Sequence, residues 1–566
     1  MMKTVIVTDT GKSVPYRRSD RAIFQAVEHF GIYYEIVDLL WNRISYEDLK
    51  EVHLLILSQE GISKSLSDEE FSSILKSVYQ GMGLVIFDGF IEWYPENFLK
   101  TLKIDKFSSG KTKYLKISPS HWIGLNSARE EIELKREILY YYFSEIPGWD
   151  CFLYDMEKNP CGISTQFGKG KIVLFSISAG LWQDEYLGHT EGLDEVFWRS
   201  MVWAAKKPFI TKTMPPFITA RIDDVSGSGS KVAKCIETVE GLRYLDILNK
   251  YGFTPNLGLF IEDIKEMEEK VIKEKYYDGL AEFSPHAFSD PKNINEFPIY
   301  MKHNGEEFDE KTLKENFRKV DYKFARIGIK MSKTLNAHFG EIGLKSLPFL
   351  KERGVKYFMN PIRVGKPSES SEAHRWEVKP YNKPFFSLGY IPEDKFFFNA
   401  VSLPPRIEFS TQKLSSSAPD FDFLYGCTTF NGENKKTDIE RAVKRGVFQI
   451  KRGLENKFFG CLMTHEQRIS HLTLSEFEEI IRKIASEISS SSLIFKSYDY
   501  ISQYSENRDF YRIEKAEYKN ELSIWLKGKN TFPQYLYLFF DDRDEVKQSF
   551  LEVPVFEKYV ILNFKI

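Results

Sequence analysis

FITARIDD, residues 217–224, is a short apolar run that ends on two carboxylates, Asp223 and Asp224. It reads as a buried strand handing polar side chains to a loop, and the chain repeats that pattern. A helix follows around VEGLRYLDILNKYG, then the strand TPNLGLFI, then GLAEFSPHAF, which closes near His286. The charged helical segment FDEKTLKENFRKVDYKFARIGIKMSKTL precedes LNAHFGEIG, the helix SLPFLKERG and the strand VKYFMN. FFGCLMTHE delivers His465 to another strand end, and LTLSEFEEIIRKIASEI has the period of an amphipathic helix. Successive βα units with polar residues at the strand ends predict a distorted (β/α) barrel over residues 206–498.

Working outward, residues 1–205 also alternate strands with helices. TVIVTD, YYEIVDL, VHLLILS and GLVIFDG are the strands. SDRAIFQAVEHFG reads as a helix with Ser19 as its N-cap, and LSDEEFSSILKSVYQG as one opened by Ser67, with acidic residues in the first turn where the helix dipole favours them. GKGKIVLFSIS and LDEVFWRSMVWAAKK complete the region, which predicts a doubly wound parallel sheet. The Pro-bearing KKPFITKTMPPFI marks the junction with the barrel region. At the other end, residues 499–566 hold YRIEKAEYKNELSIWLKG, QYLYLFFDD and KYVILNFKI, short alternating strands that predict a small all-β, sandwich-like domain.

Composition narrows the partners. A chain of 566 residues fits about three or four folding units. A hydrophobic fraction of 42% and an aromatic fraction of 15% supply their cores; aromatic faces also stack on sugar rings, but filling cores is the commoner use of such residues. The formal net charge of −3 argues against a nucleic-acid partner. Five cysteines without a CxxC pair fit neither a disulfide framework nor a thiolate zinc site. MMKTVIVTDTGKSVPYRR lacks the apolar segment of a secretory signal, and no stretch of about eighteen apolar residues is present; a cytoplasmic protein without membrane association is expected.

Four short motifs carry potential chemistry. Adjacent carboxylates at a strand end can divide the work of holding a cation and moving a proton, although such a pair is more often a solvated loop or a helix cap. His286 in EFSPHAF, His338 in NAHFGEIG and His465 in LMTHE can each present an imidazole nitrogen, although a lone histidine is more often a hydrogen-bonded loop residue. All four lie where separate strand ends would meet at one barrel mouth.

Two stretches resemble known families. HLLILSQEGISKSLSDEEFSSILKSVYQGMGLVIFDG and GKGKIVLFSISAG with GLDEVFWRSMVWAA are similar to class I glutamine-amidotransferase-like domains of the non-catalytic type. The turn that bears the nucleophilic cysteine in catalytic members carries Asp88-Gly89 here, so the resemblance implies a scaffold or ligand-binding module. The order RIDD, PHAFSD, NAHFGEIG with LPFLKERGVKYFMN, and LMTHE resembles the polysaccharide deacetylases (carbohydrate esterase family four and relatives) over about residues 216–490.

That second resemblance implies Asp223 as general base, His465 as general acid, and Asp224 and His286 as ligands of a divalent cation, zinc first. The second histidine of the family's HxxxH motif is replaced by Asp290, and His338 stands where the family has an arginine. His338 is taken as the third ligand, with Asp290 and His303 left open. The implied reaction removes N-acetyl groups from amino sugars of a glycan through a metal-activated water. Phe339 and Trp376 are candidates to stack on the sugar. Two rival readings are a glycoside hydrolase pairing Asp223 with Glu341 or Glu466, and a carbohydrate-binding scaffold with no chemistry.

Overall fold

The computed structural model describes residues 2–104, 106–125, 127, 130–289, 297–359, 388–400, 422–432, 434–489, 492–542 and 545–565. Two compact units emerge, Met1–Thr213 with Asn507–Ile566, and Met214–Glu506.

In the first unit, parallel strands Tyr34–Asp38, Lys3–Thr8, Val52–Leu57, Gly83–Ile86 and Gly170–Phe175 run side by side in that order. Pro160–Phe167, Asp150–Asp155, Lys106–Ile117 and Glu131–Glu145 extend the sheet with antiparallel pairings, so the doubly wound region is a mixed sheet. Ser67 opens the helix Asp68–Tyr79 through a capping box with Glu70. Ser19 does not cap a helix. It is buried inside a helical run that starts at Ser13 and passes through a π-helical turn, Asp20–Phe24. Pro15 lies in the first turn of that run, where a missing N–H costs no helical bond. Asp88 is a fixed strut, accepting from the backbone of Gly61 (2.9 Å), Phe90 (3.1 Å) and Ser63 (3.3 Å); burial raises its pKa to about 6.

The last strands form two small sheets, Tyr511–Tyr518 with Leu522–Asn530 and Phe556–Phe564, and Gln534–Asp542 between Phe209–Thr211 and Glu545–Val553. Their inward residues, among them Ile210, Leu522, Ile524, Leu526, Leu536 and Leu538, share one apolar core.

The second unit is built on parallel strands in the order Glu282–Ala287, Pro255–Phe260, Phe217–Val225, Gly460–His465. The amphipathic helices Glu310–Ile327, Ile439–Glu455 and Leu474–Ile488 bury their apolar stripes in the same core as this sheet. Among the described residues the barrel expected from sequence does not close. Thr334–Leu335 is tied to the Glu282–Ala287 strand by isolated bonds, Ser332 N to Phe283 O at 2.7 Å and Asn336 N to Ser284 Oγ at 2.9 Å. It belongs to a separate sheet with Tyr357–Phe358, Phe398–Ala400 and an antiparallel Leu388–Tyr390. Strands of two or three residues are too short to carry a continuous ladder around a closed ring. Among the described residues no helix is long and apolar enough to cross a membrane.

Candidate metal and proton-transfer site

Because the four strands are parallel, their carboxyl ends face one side, and residues at those ends can meet there. Adjacent residues on a regular strand point to opposite faces, so Asp223 and Asp224 need an irregularity to serve one site. The pairing with Pro255–Phe260 supplies it: the register shifts between Ile222 and Val225, and two aspartates stand opposite the single residue Gly258. Asp224 takes a left-handed φ of 57°, which aspartate tolerates better than most residues. Gly258 is required for a further reason. A Cβ there would fall 2.6 Å from His286 Nδ1 and 2.9 Å from Asn336 Nδ2, so both side chains lie directly over its backbone.

Arg221, two residues before Asp223 and on the same strand face, donates to both of its oxygens, from Nε to Oδ1 at 2.8 Å and from Nη2 to Oδ2 at 2.6 Å. Asn336 Nδ2 donates to Oδ1 at 2.6 Å. Burial opposes ionisation of Asp223, but the guanidinium beside it, with the fields of His286 and His465, outweighs that and holds its carboxyl well below the usual range.

His286 is buried, and its Nδ1 lies 2.7 Å from the backbone oxygen of Asn336. A carbonyl only accepts, so Nδ1 carries a hydrogen and Nε2 is turned to Asp224 Oδ1 at 3.1 Å. An imidazole lone pair and a carboxylate oxygen approach that closely only with positive charge between them, a second ring proton or a cation. His338 Nε2 lies 4.0 Å from the same oxygen, which is buried without a hydrogen bond. Donor atoms of Asp224, His286 and His338 all fall within 4.8 Å of one another, and all three residues are buried. This carboxylate and two imidazoles form a group that could hold a metal ion, and nitrogen donors favour a transition metal or zinc over magnesium or calcium.

His465 ends the Gly460–His465 strand and is the register partner of Asp223. Its Nδ1 is 2.6 Å from Asp422 Oδ2, and Asp422 is itself fixed by Thr464 Oγ1 (2.6 Å) and Leu424 N (2.9 Å). Burial disfavours the imidazolium, but the Asp422 bond and the fields of Asp224 and Asp223 prevail and raise its pKa to about 9.

Among the described residues, the other sequence candidates are not part of this donor group. His303 is outside the donor group; its Nδ1 is 2.6 Å from Glu341 Oε1. Glu466 accepts from Ser226 N (2.7 Å), Gly227 N (2.8 Å) and Tyr244 OH (2.7 Å), bonds that fix the loop after the Asp pair. Both carboxylates that a sugar-cleaving pair would recruit are thus engaged. Asp290 and Trp376 lie outside the described residues. Phe339 is 43% exposed, with its ring 4.1 Å from that of His338. Sequence reasoning missed Asp422, Arg221, Asn336 and Gly258 as parts of the site. Of these only Gly258 had a local signal, a glycine inside an apolar strand, which often marks close approach of another group.

No protein-family model matches this chain, and no curated protein is similar to it in sequence. Solved structures offer distant likenesses. A protein described as a polysaccharide deacetylase from Mycobacterium smegmatis is 10% identical, covering 53% of this chain and 93% of its own, with a TM-score of 0.35. A ThuA-like protein from Bacteroides uniformis is 13% identical over 36% of this chain and 90% of its own, with a TM-score of 0.27. A β-galactosidase from Bacillus circulans is 11% identical over 37% of this chain and 33% of its own, with a TM-score of 0.25. Likenesses this distant assign no activity.

Proposed function

We propose that the chain is a metal-dependent hydrolase that removes N-acetyl groups from amino sugars of a glycan. The observation that carries this reading is the convergence of Asp224, His286 and His338 on one point, beside Asp223 and His465 on neighbouring strands. The order of motifs along the chain supports the substrate class. A divalent cation, zinc first, would be held by Asp224, His286 and His338, and would supply Lewis acidity toward an acetamido carbonyl and acidity to a water.

The chain's own groups do the proton work. Asp223 is ionised at neutral pH, and the contacts from Arg221 and Asn336 fix its plane while leaving a lone-pair direction on Oδ2 for a water proton. His465, charged at neutral pH, can give its Nε2 proton to the departing amine, without which the C–N bond breaks slowly. An ionised Asp223 beside a protonated His465 supplies the starting protonation states that a base and an acid need in one cycle.

The test is acetate release from N-acetylglucosamine oligomers by the purified protein. Release should stop with a chelator and return with zinc. Asp223→Asn and His465→Ala should each lower kcat by about 10²–10⁴-fold while zinc uptake persists. Release that ignores the chelator, or full activity in both variants, would overturn the reading.

A further inference from the structure

Behind the candidate metal site lies a buried pair that the proposed chemistry does not use, Glu341 and His303. Both were open to other roles, Glu341 as a catalytic carboxylate and His303 as a ligand. In the structure they meet each other, at 2.6 Å.

The ring of His338 stands between two carboxylates. Its Nε2 faces Asp224 Oδ1 at 4.0 Å, and its Nδ1 faces Glu341 Oε2 at 3.7 Å. Nδ1 is buried without a hydrogen bond. A neutral imidazole carries one ring hydrogen, and it will point at whichever carboxylate attracts it more. Were it on Nε2, it would face Asp224 and remove the lone pair from the donor group. Drawn to Nδ1 by Glu341, it leaves Nε2 free to bind a cation. His286 has no such choice, because the Asn336 carbonyl already holds its Nδ1 hydrogen. The two imidazoles are therefore oriented by different means, one by a peptide oxygen and one by a carboxylate.

The surroundings hold Glu341 for that task. Its backbone N–H donates to His338 O at 2.9 Å, closing a tight turn that keeps the carboxylate on the Nδ1 side of the ring. The segment bearing His303 is fastened at both ends: Tyr300 OH donates to Pro285 O at 2.5 Å, next to His286, and Glu307 Oε1 accepts from Lys345 N at 2.7 Å. We propose that Glu341, steadied by His303, is the positioning residue that makes His338 a ligand through Nε2. The proposal rests on the metal reading above and assigns a task to the segment between the second and third motifs.

The experiment is calorimetric titration of zinc chloride into chelator-stripped protein, with the absorption spectrum of the cobalt(II)-loaded protein as a second readout. Glu341→Gln should weaken zinc binding by about 10–100-fold, the effect of losing an outer partner of a ligating histidine, and should alter the cobalt bands. His303→Gln should weaken it less, and Glu341→Asp should recover part of the loss. Wild-type affinity in Glu341→Gln overturns the proposal. If that variant does not fold, wild-type affinity in His303→Gln does so instead. Failure of the unaltered protein to take up zinc would remove the metal reading itself, whereas uptake by it with unchanged variants removes only the role of Glu341.

Discussion

His465 is surrounded by negative charge: Asp422 touches its Nδ1, and the Asp223–Asp224 pair acts on the ring from across the strand ends. The sign of the outcome follows. The folded pKa, about 9, lies above the ordinary 6.5, so the imidazolium persists through neutrality. Its stabilising contribution is complete below about pH 6.5 and disappears as pH rises through about 9. A cation on Asp224 would cancel part of the field, so in the loaded protein the alkaline limb of kcat should fall at or below pH 9. Asp422→Asn should move that limb down toward the ordinary histidine value, and a pH profile of acetate release would reveal it; an unmoved limb would free His465 from this role. Phe339 offers a second residue-scale prediction. A bulky side chain at φ 47° is strained, by about 1–3 kcal/mol, yet its ring remains 43% exposed beside His338. A ring kept there suits stacking on a sugar, so Phe339→Ala should raise KM about 2–10-fold with little change in kcat, the worth of one aromatic contact. An unchanged KM would make the ring mere cover for His338.

At the scale of elements, the bulge opposite Gly258 is what turns two adjacent aspartates toward one site. Gly258→Ala would drive a methyl group into the His286 and Asn336 side chains. The expected result is a loss of about 1–3 kcal/mol in stability by denaturant titration, with zinc uptake reduced far more than that loss explains, because the His286 ring must move. The strand ends themselves were legible in the sequence: FITARIDD, GLAEFSPHAF and FFGCLMTHE are short apolar runs that reach polar residues near their ends, the pattern of strands buried on both faces, and their residues are buried almost without a break. What was not legible required distance or backbone detail. Asp422 reaches His465 across 43 residues of sequence, and nothing local in DFDFLYG distinguishes it from a turn residue. Whether His338 or His303 joins the donor group depends on the tight turn at Phe339, which no spacing rule specifies. Ser19-Asp20 imitates a helix start so closely that the real one, at Ser13, is hidden behind Pro15. Among the described residues the ring of strands stays open where strands are as short as Thr334–Leu335, whose lengths propensity alone does not fix.

At the scale of the whole molecule, the candidate donors belong to one of the two units, so a bound metal should act on that unit alone. All three donor residues lie within Met214–Glu506 and come from parts of the chain far apart in sequence, so a bound cation would tie Asp224, His286 and His338 together only in the folded unit. Ligand that binds the native state alone stabilises it, by about 2.7 kcal/mol at one hundred times Kd. Amide hydrogen exchange with and without zinc separates this from general stiffening. Protection should rise in Phe217–Val225, Glu282–Ala287 and the 336–341 turn, while Val52–Leu57 and Gly83–Ile86 in the first unit stay unchanged. The contrast is informative because those two strands are as deeply buried as the site strands and equally able to report a change. Equal protection in both units would mean zinc acts at the surface or on the chain at large, and the donor group would then be a hydrogen-bonded core cluster rather than a metal site.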